Sequence, residues 1–375
     1  MEKIYLDNAA TTALRPEVAT EMMAVLQNEY GNPSSSHSFG RSAKSKLELS
    51  RKTIAQLLNV SAQEIIFTSG ATEANNWILQ NAVTHLNVKR IITSKIEHHA
   101  VLHAVEFLQK QYAIQVDFVK VKSDGTININ HLVELLGQEI PTLVSLMHVN
   151  NETGCVLDLE EVAQICKQHS AYLHSDTVQS VGKMPLDLKQ IPLDFAVASA
   201  HKFHGPKGIG FAFIRKGLSL KPLFHGGEQE KGIRPGTESL HNIVGMAKAL
   251  QLSYEHLEAD KNHIQDLKDY TIEQLQKQFP NIAFNGATHA TFYTILNVRL
   301  PLDASKSAMI LFHLDMKGIA VSRGSACQSG SPRPSHVLVA FLNEEQIVQP
   351  SLRISFSHFS TKSEIDTLIN ALVTL

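Results

Sequence analysis

The chain is poor in cysteine, poor in aromatic residues and without any long apolar run. Of 375 residues, three are Cys, one is Trp and 6% are aromatic. Three cysteines, an odd number without framework spacing, argue against a secreted fold held by disulfides. No stretch approaches about 18 consecutive apolar residues, so no membrane-spanning helix is expected. Lys plus Arg number 34 against 36 Asp plus Glu, for a net charge of −2. Such a balance provides no general basic field for direct nucleic-acid binding. Residues 1–8 lack a basic start followed by an apolar core, so no export signal is expected and the cytoplasm is the expected location. What remains is an ordinary globular composition, 43% hydrophobic and 19% charged, on a chain long enough for two domains.

The organising feature is alternation. Short apolar runs at 65–68, 90–94, 114–121, 142–149, 171–175, 195–198 and 210–214 read as buried strands. Helical periodicity lies between most of the early ones, near 72–86, 100–112, 131–139 and 159–169, after earlier helices from Pro16 and over about 42–58. Strand and helix in alternation predict an α/β fold with a mainly parallel sheet covered on both faces. Residues 239–279 read as one long helix or two consecutive ones, and a domain boundary is expected near 255. The large domain is then 15–255. Residues 1–14 and 256–375 form a smaller α/β unit with strands near 295–300, 319–322 and 352–356, and a last helix opened by a capping box at Thr361 and Glu364.

Ligands of such sheets gather at the carboxyl ends of the strands, so the residues after each apolar run are the candidates. After 65–68, Ser69-Gly70-Ala71-Thr72-Glu73 opens a helix with small residues; its free N–H groups and positive dipole end suit a phosphate at Ala71 and Thr72. After 90–94 comes Glu97-His98-His99-Ala100-Val101. Adjacent histidines point in different directions and no Cys or carboxylate set completes a site, so no metal is expected. An imidazole does suit proton transfer near neutral pH. The run at 142–149 ends in the polar turn Asn150-Asn151-Glu152-Thr153-Gly154, and that at 171–175 ends at Asp176. Between 195–198 and 210–214 stands Ser199-Ala200-His201-Lys202-Phe203-His204-Gly205-Pro206-Lys207-Gly208. Burial penalises a lysine's charged form, which makes the Lys202 amine a usable nucleophile and Schiff-base former.

Farther along, residues 225–238 are rich in Gly and charge and read as a flexible surface loop. Cys155 and Cys166 sit among apolar neighbours as inert core thiols. Cys327 lies in 323–336, a stretch with almost no apolar anchor, which predicts an exposed loop and an accessible thiolate.

Taken together these motifs resemble the pyridoxal-phosphate enzymes related to class V aminotransferases, and within them the group I cysteine desulfurases. The matching stretches are Asp7-Asn8-Ala9-Ala10-Thr11-Thr12, Gly31-Asn32-Pro33-Ser34-Ser35-Ser36-His37, Glu97-His98, His148-Val149-Asn150-Asn151-Glu152 and His174-Ser175-Asp176-Thr177-Val178-Gln179-Ser180-Val181-Gly182-Lys183. To these are added the Lys202 segment, Ser325-Ala326-Cys327 in its long loop, and Pro334-Ser335-His336-Val337-Leu338. The resemblance spans nearly the whole chain and implies a fold-type I architecture with a seven-stranded-type sheet. It implies pyridoxal 5′-phosphate held covalently by Lys202, with Ala71, Thr72, Ser199 and His201 at its phosphate. His98 would stack on its ring and move protons, Asp176 would pair with its ring nitrogen, and Gln179 would complete the contacts. Asn151 would touch cofactor and substrate, and Arg353 the substrate carboxylate. Residues 31–37 would lie near the substrate entrance. Thr237 would reach the phosphate of a partner in a homodimer.

The implied reaction converts L-cysteine to L-alanine, with sulfur passed to Cys327 as a persulfide and on to a sulfur acceptor or iron–sulfur scaffold protein. A selenocysteine lyase or other class V relative, or a non-catalytic cofactor-binding scaffold, are the alternatives. One departure stands out: the family usually reads Ser-x-Gly-Arg-x-Thr where this chain has Ser355-Phe356-Ser357-His358-Phe359-Ser360.

Overall fold

The computed structural model describes residues 3–287, 291–303, 309–324 and 334–374. In chain order the strands are β1 (Ile4–Tyr5), β2 (Ile65–Thr68), β3 (Arg90–Ser94), β4 (Gln115–Val119), β5 (Thr142–Ser145), β6 (Tyr172–Asp176), β7 (Phe195–Ser199) and β8 (Gly210–Ile214), followed by β9 (Ala283–Phe284), β10 (Ile295–Arg299), β11 (Ile319–Ala320) and β12 (Ser351–Ser355). Seven of them form one sheet in the order β2-β8-β7-β6-β5-β3-β4. All neighbours in it run parallel except β8, which is antiparallel to both β2 and β7.

The apolar runs are continuous because both faces of this sheet are covered. Successive strand residues point to opposite faces. Ile65 and Phe67 join one buried cluster while Ile66 joins the other; Ala196 and Ala198 likewise oppose Phe195 and Val197. Helices Pro16–Asn28 and Ser38–Leu57 pack on Leu240–Glu255 on one side, and Ala71–Thr84 packs with His99–Tyr112 on the other. A third cluster fills a smaller unit, in which β12-β10-β9 form an antiparallel sheet beside the helices Leu257–Gln278 and Lys362–Val373. Here the amino-terminal arm returns: β1 pairs in parallel with β11, and Asp7 bridges to Ser355. The capping box at Thr361 and Glu364 is formed in both halves.

Three expectations are corrected. The run at 142–149 stops as a strand at Ser145, because its pairing with β3 ends at Val144; Leu146 and His148 then bond individually to the carbonyls of His174 and Asp176. Asp176 is the last residue of β6, not the residue after it. Residues 225–238 are not uniformly a loose surface loop. Glu230, at φ 47°, is buried and takes both ends of the Arg51 guanidinium at 2.6 and 2.7 Å and the Phe67 amide at 3.1 Å. Composition marks that segment as polar, but the ion pair pins it. The stretch 239–279 resolves into two helices, Leu240–Glu255 and Leu257–Gln278, meeting at His256. Among the described residues no helix is long and apolar enough to cross a membrane.

Candidate active site

A cavity of about 240 Å³ opens where the strand ends of the large sheet meet the amino-terminal arm and β12. Ala71, Thr72, His98, Asn151, Asp176, Gln179, Ser199, His201, Lys202 and Arg353 all line it.

Lys202 closes the short turn Ala200–Lys202 between β7 and β8. It is half-buried rather than enclosed, and its Nζ donates to the carbonyls of Ala9 and Ala10 at 2.7 and 2.8 Å. The arm is laced to the same turn: the Thr12 amide donates to the His201 carbonyl at 2.9 Å, and His201 Nδ1 meets Thr11 Oγ1 at 3.1 Å. Burial, with Lys202 nearby, holds His201 down to about 4, so its ring is neutral at physiological pH.

The helix Ala71–Thr84 begins at Gly70 without a side-chain cap. Its first amide, Ala71 N, donates to Ser199 Oγ at 2.8 Å, which brings the hydroxyl to the positive end of the helix. The approach is possible because β8 starts at Gly210. A Cβ there would lie 2.8 Å from the Gly70 Cα and 2.2 Å from the Ala198 carbonyl oxygen.

Asp176 is buried with both oxygens engaged, Oδ2 by Asn75 Nδ2 at 2.9 Å and Oδ1 by the Val178 amide at 3.1 Å. Gln179 donates from Nε2 to the Ala9 carbonyl at 2.9 Å. His98 caps the helix His99–Tyr112, its Nδ1 accepting from the Ala100 amide at 3.1 Å. That acceptor role puts the neutral ring's proton on Nε2. Burial lowers the His98 pKa, against the pull of Asp176. The preceding Glu97 is driven by burial up to about 8, although Ser94 Oγ donates to it at 2.6 Å.

Arg353 is fully buried at its side chain. Nη2 pairs with Asp7 Oδ1 at 2.7 Å and Nη1 donates to the Asn151 carbonyl at 2.9 Å, while Nε has no hydrogen-bond partner among the described residues.

One candidate is not in the cavity. Thr237 is exposed in the segment after Arg234 and lines no part of it. Cys327 lies outside the described residues, but both flanks of its segment are fastened beside the site. Ser322 bridges to Arg353, the Ser335 hydroxyl bonds to the buried Glu152 carboxylate, and His336 Nε2 meets the Glu97 carbonyl at 2.9 Å. Residues 31–37 are not brought here either. Pro33 and Ser34 line a separate depression of about 400 Å³ beside the Arg51–Glu230 pair. Cys155 and Cys166 are buried with raised thiol pKa values, Cys166 to about 12, in keeping with inert core thiols.

Resemblance marked the segment around Asp7 as a wall of the site, but sequence reasoning missed Asn75 and the separate parts played by the Asp7 carboxylate and the Ala9 and Ala10 carbonyls. Asn75 could have been found, since it follows Ala71 by four residues and so shares its helix face. The carbonyls carry no side-chain signal at all.

The sheet order, the lysine turn and the uncapped helix define the class: an α/β enzyme of the fold-type I architecture. The chain belongs to the Aminotransferase class-V family, which it matches over residues 4–368. A relative described as cysteine desulfurase IscS, from Dictyoglomus turgidum, is 38% identical over 372 residues, covering 99% of this chain and 93% of that one. A solved NifS-like protein superposes with TM-score 0.91 at 35% identity, covering 100% of this chain and 99% of that one. Another, described as SspA in complex with cysteine, gives TM-score 0.83 at 30% identity, covering 96% and 100%.

Members of this family use pyridoxal 5′-phosphate, and the cavity fits that group. It has an uncapped helix start with a hydroxyl beside it for a phosphate, a buried carboxylate for a ring nitrogen and a lysine amine for an aldehyde.

Proposed function

We propose that the chain is a pyridoxal-phosphate-dependent cysteine desulfurase that converts L-cysteine to L-alanine and passes the sulfur to Cys327 as a persulfide. The observation that carries this reading is that an amine, a carboxylate and a guanidinium, those of Lys202, Asp176 and Arg353, share one cavity. When bound, the cofactor supplies an electron sink beside the substrate amine. Asp176, immobilised by Asn75 and the Val178 amide, keeps the ring nitrogen protonated. Ala71, Thr72, Ser199 and His201 receive the phosphate, and Gln179 and Asn151 hold the ring.

Arg353 orients the substrate. Its two terminal nitrogens are steadied by Asp7 and Asn151, and the guanidinium so held lines the cavity for the substrate carboxylate. Lys202 Nζ takes the proton from the substrate Cα and returns it, and His98 holds a proton on Nε2 for delivery. The Cys327 thiolate then attacks the substrate sulfur. A sulfur–sulfur bond forms, the carbon–sulfur bond breaks, and its electron pair stays with the carbon, which gains a proton to become alanine.

Residues 15–255 form the cofactor-holding unit and 1–14 with 256–375 the smaller one, a division supported by the break between helices at His256. The enzyme works as a homodimer in the cytoplasm, with the exposed Thr237 reaching the phosphate site of a second copy. A scaffold for iron–sulfur cluster assembly, or a tRNA-thiolation pathway, accepts the sulfur.

The test is alanine and sulfide release from L-cysteine by wild type and Cys327→Ala, with cofactor spectra recorded alongside. Turnover by wild type, with a mutant that binds cofactor and cysteine yet releases no sulfide, supports the persulfide route. Full activity in Cys327→Ala replaces it with a lyase reaction. Cofactor binding without turnover in both proteins replaces it with a scaffold role.

A further inference from the structure

A second lysine is buried behind the one that faces the cavity. Lys183 is 9% exposed and its Nζ donates to Gln179 Oε1 at 3.0 Å. Gln179 Nε2 donates in turn to the Ala9 carbonyl at 2.9 Å, and that same carbonyl accepts Lys202 Nζ at 2.7 Å. The order of this chain of contacts is fixed by chemistry. An amide side chain alone could lie either way round, but the Ala9 carbonyl only accepts, so it takes the Gln179 nitrogen and leaves the oxygen to the Lys183 amine.

The placement of Lys183 is built rather than incidental. The preceding Gly182 has φ 75°, and a Cβ there would come 2.9 Å from the Phe203 Cβ, so only glycine lets this turn lie against the neighbour of Lys202. The Lys183 amide donates to the Ser180 carbonyl at 3.0 Å, and its carbonyl accepts Tyr293 Oη at 2.7 Å. The amine is brought down to about 7, first by burial and then by Lys202 and Arg353. The ionisable groups around it are Lys202, His201 and His204 of the β7–β8 turn, Arg353 of β12, Asp260 of the helix Leu257–Gln278, tied to Arg15 of the amino-terminal arm at 2.5 Å, and His358 after β12. Burial keeps His204 as well as His201 neutral.

We infer that Lys183 is a positioning residue for the cofactor lysine: by fixing the Gln179 amide and the Ala9 carbonyl it sets the place from which the Lys202 amine works. The inference rests on the role proposed for Lys202, but the contacts themselves do not.

The test compares wild type, Lys183→Met, Gln179→Ala and the double variant. In the cofactor-loaded protein the readout is the pH midpoint of the cofactor's visible absorbance. Both single variants are expected to move it by about half a pH unit or more, and the double variant no further than either single one, because the residues act in series. Equal KM for L-cysteine with a lower kcat is expected in both. A second readout, the rate at which acetic anhydride labels Lys202 in the chain stripped of cofactor, is expected to rise alike in all three variants. Lys183→Arg, which keeps the donor, is expected to stay near wild type, and it carries the comparison should Lys183→Met fold poorly. A midpoint and a labelling rate unchanged in Lys183→Met, or effects that simply add in the double variant, overturn the inference. Failure of the chain to bind the cofactor would instead count against the proposed function, and the labelling comparison still decides the role of Lys183.

Discussion

The two walls of the cavity are built in opposite ways. On the large-sheet side each group stands at a strand end or a helix start and is steadied from the sheet and its covering helices: His98 by Ala100, Asp176 by Val178 and, across 101 positions, by Asn75. On the other side nothing is local. Asp7 and Arg353 meet across 346 positions, Lys202 reaches Ala9 across 193, and Ser335 reaches Glu152 across 183. The first wall depends on a sheet that forms from short-range alternation. The second exists only once the amino-terminal arm has been threaded between the β7–β8 turn and β12. A functional site can thus have one face that is legible in order along the chain and one that is not.

The sharpest way to break this comparison is at the long-range wall. Arg353→Lys keeps the charge but loses the fork, so it strands Asp7 and the substrate carboxylate together. Its kcat/KM for L-cysteine is expected to fall about 100-fold, mostly through KM, with cofactor binding retained. An unchanged KM would mean that the guanidinium serves the Asp7 pair alone.

A smaller effect is expected on the local wall, where redundancy is greater. Asn75→Ala removes one of the two hydrogen bonds to Asp176 and leaves the Val178 amide in place. A loss of about tenfold in kcat with little change in KM is expected, since Asp176 is reoriented but not discharged. A loss as large as that of Asp176→Ala would show that Asn75 alone holds the carboxylate.

A third expected effect concerns stability. Glu97, beside His98, has its folded pKa raised from 4.5 to about 8 by burial. For a group raised in the folded state, the stabilisation is complete below the unfolded value and is lost as pH rises through the folded one. Between about pH 4.5 and 8 the unfolded chain therefore binds fewer protons than the folded one at this residue, and Glu97 lowers stability by about 1 kcal/mol per pH unit. Urea midpoints for Glu97→Gln are expected to show that slope flattened, and identical slopes in mutant and wild type would place Glu97 in contact with water.

Much of this could be read along the chain. The α/β alternation, most strand positions, the helix start at Ala71 and the cavity positions of Lys202, His98 and Asp176 all follow from apolar periodicity and from rules about strand ends. Less could be read where burial overrides composition. Residues 225–238 look loose by content, yet Glu230 is locked by Arg51, a partner 179 positions away. Asn75 was missed because an amide within a helix is ordinarily a surface residue, and nothing local reveals that Asp176 lies across from it.

By itself, then, the sequence determined the covered sheet, because strands buried on both faces must be apolar throughout, and which residues follow each of its strands. The tertiary structure decided the rest. It placed the Asp7 carboxylate on Arg353, the Ala9 and Ala10 carbonyls under Lys202 and the Gln179 amide on the Ala9 carbonyl. Each of those contacts joins a backbone group, or a charge without local periodicity, to a residue far along the chain, and only the closing of the two units brings them within hydrogen-bond distance.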